Sequence, residues 1–172
     1  MKRLFFAVWP DDNSRVRVNR LNQRIEQKGI RRLVPANLHI TLLFLGNVDD
    51  DIAHAVQKQA AAIQAPSFSL LFDELDYWPR PRVLCLTCRR QPKPLYELVN
   101  QLRGMVSAFP VRLDQRAYRA HITMARKAKQ RPQLLFDPIL IKANRFALVE
   151  SCSTEQGVRY RVIDSWPLSP VL

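Results

Sequence analysis

Glycine is scarce in this chain. There are four, Gly29, Gly46, Gly104 and Gly157, and none sits in a Walker-type loop or a G-x-G-x-x-G turn. Nucleotide-driven phosphoryl transfer is therefore disfavoured. Cysteine is also scarce: three residues, an odd count, at spacings that suggest no disulfide framework. Cys85 and Cys88 form a nominal C-x-x-C, but an apparent strand runs through them, and side chains three apart on a strand point to opposite faces. No second cysteine pair completes a zinc site, and no metal or other cofactor is expected. Long apolar runs are absent, since nothing approaches the ~20 residues of a membrane span. The opening Met1-Lys2-Arg3 followed by Leu4 to Trp9 faintly imitates a signal peptide, but the run is short and meets Pro10-Asp11-Asp12 at once. The default expectation is a cytoplasmic monomer that does not engage a membrane. Acidic residues are outnumbered, with 15 Asp and Glu against 27 Lys and Arg, a formal charge of +12. That excess favours anionic partners, and RNA is the natural candidate.

Histidine is the third scarce residue type, and here the scarcity is informative. Two of the three histidines, His39 and His121, stand in matched contexts: His39-Ile40-Thr41-Leu42 and His121-Ile122-Thr123-Met124. With four threonines in the chain, a given histidine meets one two positions on about 2% of the time, so the pair is not a chance event. On a strand, residues i and i+2 share a face. Each copy therefore presents an imidazole beside a hydroxyl, with Ile40 and Leu42, or Ile122 and Met124, anchored behind. His54 lacks a Thr partner and falls off the apolar stripe of its own helix, so it is expected to face solvent without a role.

The order of elements repeats around these motifs. Leu4 to Val8 reads as a buried strand that Pro10 ends. Val18, Leu21 and Ile25 stripe a basic helix that Asp11 to Asn13 start and Gly29 closes. A motif strand from His39 to Leu45 then breaks at Gly46-Asn47. Asp49, Asp50 and Asp51 suit the start of a helix dipole better than a metal site. That helix carries Ile52, Val56 and Ile63 to Pro66, and Phe68, Leu70 and Phe72 alternate as a strand. Val83 to Thr87 then reads as a strand, Pro92 and Pro94 open a helix with Leu95, Leu98, Val99, Leu102 and Val106, and the second motif follows. A hairpin of Phe146 to Ser151 and Val158 to Asp164 closes the chain. The expectation is one bilobal α+β domain over 1–172, with repeat units 1–78 and 79–172. Each lobe is an antiparallel sheet with outer helices, and the cleft lies between the two.

Such a cleft opposes two imidazoles across a gap. A neutral histidine can take a proton from attacking water while a protonated one gives a proton to the leaving oxygen, because the ordinary pKa of ~6.5 leaves both forms accessible. Thr41 and Thr123 suit the non-bridging oxygens of a phosphate, and Arg126, five residues after His121, adds a fixed positive charge. Spacing alone does not say which histidine is acid and which is base.

The paired motifs, the opening Arg3-Leu4-Phe5-Phe6-Ala7, the run His39 to Gly46 and the run Tyr118 to Thr123 resemble the two-histidine (2H) phosphoesterases. Within them the chain is most similar to the bacterial RNA 2′,3′-cyclic phosphodiesterases, also called 2′-5′ RNA ligases. The resemblance implies hydrolysis of RNA 2′,3′-cyclic phosphate ends to 2′-phosphates, with ATP-independent 2′-5′ ligation in some members. It implies His39 as proton donor and His121 as acceptor, and an aromatic near the cleft, Phe5 or Phe6, to stack the terminal base. Two other readings stay open. One is a nucleotide or RNA-end binding module without turnover, which the intact histidines disfavour. The other is the same chemistry on 2′-5′ oligonucleotides or small cyclic nucleotides.

Overall fold

Strand β1, Lys2–Val8, alternates between two apolar layers. Leu4, Phe6 and Val8 enter the main core, whereas Phe5 and Ala7 join a small second cluster with Ala147 and Val149 on the other face of the sheet. Pro10 stops the strand. Asp11 then caps helix α1, Asp12–Gln23, with Ser14 donating to it from both its backbone N–H (2.8 Å) and its hydroxyl (2.7 Å). The helix stops short of Gly29 because Arg32 takes over its end. The Arg32 guanidinium donates to the Asn22 carbonyl at 2.9 Å and to the Ile25 carbonyl. Ile25 still reaches the core from the turn beyond.

The computed structural model describes residues 1–171. A short strand β2, Arg31–Arg32, and a 3₁₀ turn, Pro35–Asn37, lead into β3, Ile40–Val48. Gly46 does not break β3; it takes φ +74° beside a bulge, and pairing with β1 runs on to Val48. Helix α2, Asp50–Ala60, buries Ala53, Val56 and Ala60, and ends before Pro66. Its first-turn Asp50 pairs with Lys2 at 3.2 Å. Strands β4, Phe68–Phe72, and β5, Glu74–Trp78, precede β6, Val83–Thr87. Helix α3, Lys93–Val106, buries Leu95, Leu98, Val99, Leu102 and Val106, the stripe read from sequence. Then come β7, His121–Arg126, β8, Ile139–Ala143, and the hairpin of β9, Arg145–Thr154, with β10, Gly157–Pro167.

The fold is α+β with antiparallel pairing throughout the main sheet, whose order is β10-β9-β1-β3-β7-β6-β5, with β2 on β7. β4 and β8 form a separate ribbon. Each half of the sequence lends strands to the other: β5 joins β6, and the C-terminal hairpin joins β1. The two halves meet at β3 and β7, through the pair Ile40–Ile122. Both side chains are fully buried. No helix among the described residues is long and apolar enough to cross a membrane.

The seam should therefore be sensitive to volume. Ile122→Ala is expected to cost ~2–5 kcal/mol and Ile122→Val ~0.5–1.5 kcal/mol in equilibrium urea unfolding. An alanine cost no larger than the valine cost would show that the seam is not packed as described.

Candidate active site

The Ile40–Ile122 pair sets the face that the motif histidines and threonines share. Carrying the antiparallel register one residue each way puts His39 opposite Thr123 and Thr41 opposite His121. Directly opposed residues have Cβ atoms ~4.5–5.5 Å apart and point the same way. The isoleucines point into the core, so the two imidazoles and two hydroxyls share the other face. All four are half-buried. His39 stands one residue ahead of β3, and His121 is the first residue of β7.

Both histidines are held alike. His39 Nδ1 donates to the Asn37 carbonyl at 2.7 Å, and His121 Nδ1 donates to the Arg119 carbonyl at 3.0 Å. Each bond goes to the residue two before, and each fixes the proton on Nδ1 of the neutral ring. Nε2 is left as the working nitrogen. In His39 it accepts from the Thr41 hydroxyl at 3.0 Å. The Tyr118 hydroxyl donates to the Thr41 carbonyl at 2.9 Å, which ties the second motif to the first.

Aromatic rings box the imidazoles. Trp9 stacks on His39 at 5.3 Å and 8°, Tyr160 meets its edge at 4.9 Å and 77°, and Phe5 lies 4.9 Å away. Trp78 packs on His121 at 4.6 Å. One carboxylate oxygen of Asp76 accepts from both the Trp78 indole N–H and the Arg119 guanidinium, each at 3.0 Å. Burial pushes His39 down from 6.5 to about 4, against the pull of the Asn37 carbonyl, and a charge on His121 would push it further. His121 is also lowered, by burial first, with the Arg119 guanidinium adding to the effect. Both rings are therefore mostly neutral near pH 7.

A bulge brings Arg126 to the site. Cys85 pairs with Thr123 and Leu84 with Ala125, so Met124 is an extra residue on β7. Met124 and Ala125 both turn inward, and Arg126 returns to the face of His121 and Thr123. The first motif has the same device. Ala7 pairs with Thr41 and Phe6 with Leu43, so Leu42 is extra, Leu42 and Leu43 are buried, and Phe44 re-emerges exposed. Phe44 and Arg126 thus hold equivalent places, five residues after each histidine.

The remaining candidates separate. Phe6 is fully buried on the core face, against Phe146 and Trp166. Phe5 lies on the site face but is 3% exposed, a floor beneath His39. Neither presents a ring surface on which a base can stack. His54 is exposed on α2, outside that helix's buried stripe. The Cys85 thiol, 3.9 Å from the Thr123 hydroxyl, is pushed up to about 12 by burial and stays protonated. Among the described residues no cluster of three or more His, Cys, Asp or Glu could hold a metal ion. Trp9, Trp78, Tyr160 and Asn37 escaped the sequence reading. Only Trp9 carried a signal, because it continues the alternation of Phe5 and Ala7.

Two openings flank the tetrad. On the His121 side a cavity of about 410 Å³ is lined by Thr41, Phe44, Trp78, Arg103, Tyr118 and Arg119 among others. On the His39 side a cleft of about 240 Å³ is lined by Arg31, Asn37, Arg126 and Tyr160.

Known proteins are similar to this chain in sequence and fold. Residues 8–85 match the family described as LigT like Phosphoesterase. The RNA 2′,3′-cyclic phosphodiesterase of Escherichia coli (strain K12) is 30% identical over 174 residues, 98% of this chain and 97% of that protein. That of Archaeoglobus fulgidus is 28% identical over 136 residues, 77% of this chain and 76% of that protein. Among solved structures, E. coli LigT in apo form has a TM-score of 0.88 at 28% identity, covering 98% of each chain. E. coli LigT complexed with phosphate has a TM-score of 0.84 at 28% identity, again covering 98% of each chain. Near-complete overlap with the Escherichia coli proteins, at 30% identity to one of them, makes this chain a member of the LigT-like, two-histidine (2H) phosphoesterase family.

Proposed function

We propose that this enzyme hydrolyses the 2′,3′-cyclic phosphate ends of RNA to 2′-phosphomonoesters by two-histidine acid–base catalysis. The observation that carries the reading is the single face holding His39, Thr41, His121 and Thr123, with each Nδ1 anchored and each Nε2 aimed away from the backbone. In the reaction a water oxygen bonds to phosphorus and the bond from phosphorus to the 3′-oxygen breaks. His121 Nε2 takes the water proton, and His39 Nε2 gives a proton to the departing 3′-oxygen. Thr41, Thr123 and Arg126 hold the non-bridging oxygens, where negative charge gathers. An RNA 5′-hydroxyl in place of water would give a 2′-5′ linkage by the same proton transfers.

Two features support His39 as the donor. The Trp9 face stacks on its ring, and an aromatic face favours a cation lying over it. His121 neighbours the Arg119 guanidinium, whose charge disfavours imidazolium and suits a base. Burial opposes a charged His39, so the anionic substrate must supply the compensating field.

The product of a 2′,3′-cyclic-phosphate oligonucleotide, resolved as 2′- or 3′-phosphate, tests the reaction. A 3′-phosphate, or no turnover, would end this reading. His39→Ala and His121→Ala should each lower kcat by ~10²–10⁴, while His54→Ala leaves it unchanged. With an activated phosphodiester whose leaving group needs no proton, His39→Ala alone should recover. Recovery by His121→Ala instead would reverse the two roles. Thr41→Val and Thr123→Val should each cost ~10-fold or more, as losses of one transition-state hydrogen bond.

The pH dependence follows from the lowered histidines. In the empty protein the donor is mostly deprotonated at pH 7, so kcat/KM should rise as pH falls from 8 toward 6. Bound phosphate raises both rings, so the kcat profile should lie at higher pH than that of kcat/KM. Coincident profiles would show that the phosphate does not reach the imidazoles. Turnover should also survive excess EDTA; loss on chelation with recovery on adding a divalent ion would recast the histidines as ligands.

A further inference from the structure

The cleft beside His39 holds an unusual pair. Strand β2 lies antiparallel on β7, and Arg31 pairs directly with Arg126. Like charges directly opposite one another across strands are destabilising. Both residues are exposed, and among the described residues neither has a carboxylate partner or a side-chain hydrogen bond. Their neighbour Arg32 differs, since its guanidinium is spent on the Asn22 and Ile25 carbonyls. No carboxylate lines the cleft. Two uncompensated guanidiniums facing each other in a concave site are a place for an anion.

The cleft is also built into the catalytic site. Tyr160, one of its walls, rests on the His39 ring. Asn37, another wall, takes the His39 Nδ1 proton on its carbonyl and donates its side-chain amide to the Val158 carbonyl at 2.9 Å. Gly157 follows the β9–β10 turn with φ +111°, and a Cβ there would come 3.9 Å from Arg31 Nη2. The Arg31 guanidinium therefore lies over that turn, on the rim of the cleft.

Distance separates the tasks of the two arginines. Arg126 lies three residues beyond Thr123, about 10 Å along a strand at ~3.3 Å per residue. Its long side chain can fold back toward the phosphate on the tetrad. Arg31 stands one strand further out, beyond that reach. We propose that Arg31 binds a phosphodiester of the RNA next to the reacting phosphate, while Arg126 beside it serves the reacting phosphate itself. The enzyme then prefers a polynucleotide end to a cyclic mononucleotide. This inference rests on the proposed RNA substrate and adds how the rest of the strand is held.

Equilibrium binding tests it without relying on turnover. The probes are a short ribo-oligonucleotide ending in a 2′-phosphate, the same oligonucleotide ending in hydroxyls, and a nucleoside 2′-monophosphate. Arg31→Ala should weaken both oligonucleotides about fivefold to tenfold at low salt. It should also reduce the slope of log affinity against log salt by ~0.7, the value for one single-strand phosphate contact. Affinity for the mononucleotide should stay within twofold, and Arg31→Lys should keep most of the oligonucleotide affinity. Equal weakening of the mononucleotide would place Arg31 on the reacting phosphate and overturn the proposal, as would no change with any probe. If the wild type fails to open cyclic phosphates while Arg31→Ala still shows the oligonucleotide-specific loss, the reaction falls and the strand site stands.

Discussion

The site depends on one cross-strand contact. Ile40 and Ile122 join the two halves of the main sheet, and they do so with their side chains in the core. Strand alternation leaves no choice about the rest, because residues on either side of a buried pair must face the other way. A slip of one residue in either strand would put an isoleucine in the cleft and a histidine in the core. Burial of the isoleucines therefore protects the shared His–Thr face as well as stability. Tyr118 adds a second tie across the seam by bonding the Thr41 carbonyl.

The face so formed is dry enough to matter electrostatically. Desolvation holds both imidazoles neutral, and the carbonyls of Asn37 and Arg119 fix where their protons sit. An anion bound beside the two neutral rings would favour their charged forms, so anion binding and protonation of the imidazoles are linked. The aromatic box around His39 and the Asp76–Arg119–Trp78 group around His121 surround two similar rings with different fields.

Much of this was legible in the sequence. The His-x-Thr alternation gave the shared face, and the stripe on α3 matched its buried residues one for one. Local signals sufficed in both cases. The reading missed β2, β5 and β8: β2 and β8 are short and held by partners distant in sequence, and β5 is a short strand carrying Glu74 and Asp76, held by its hairpin neighbour β6. Helix α1 ended early because Arg32 caps it from outside, and no local pattern announces that. Trp78 and Tyr160 reach the histidines only through strand register. Phe6 could have been set aside from sequence, since parity places it with Leu4 and Val8 in the core layer.

The extra residue after each motif threonine has a consequence for direction. The four motif side chains by themselves read the same from either end, each histidine beside a threonine. The bulges bring up Phe44 on one side and Arg126 on the other. A flat ring offers a surface for another ring, and a guanidinium offers a fork of donors for oxygen. The two ends of the paired motifs therefore ask for different chemical groups, and the site acquires a heading.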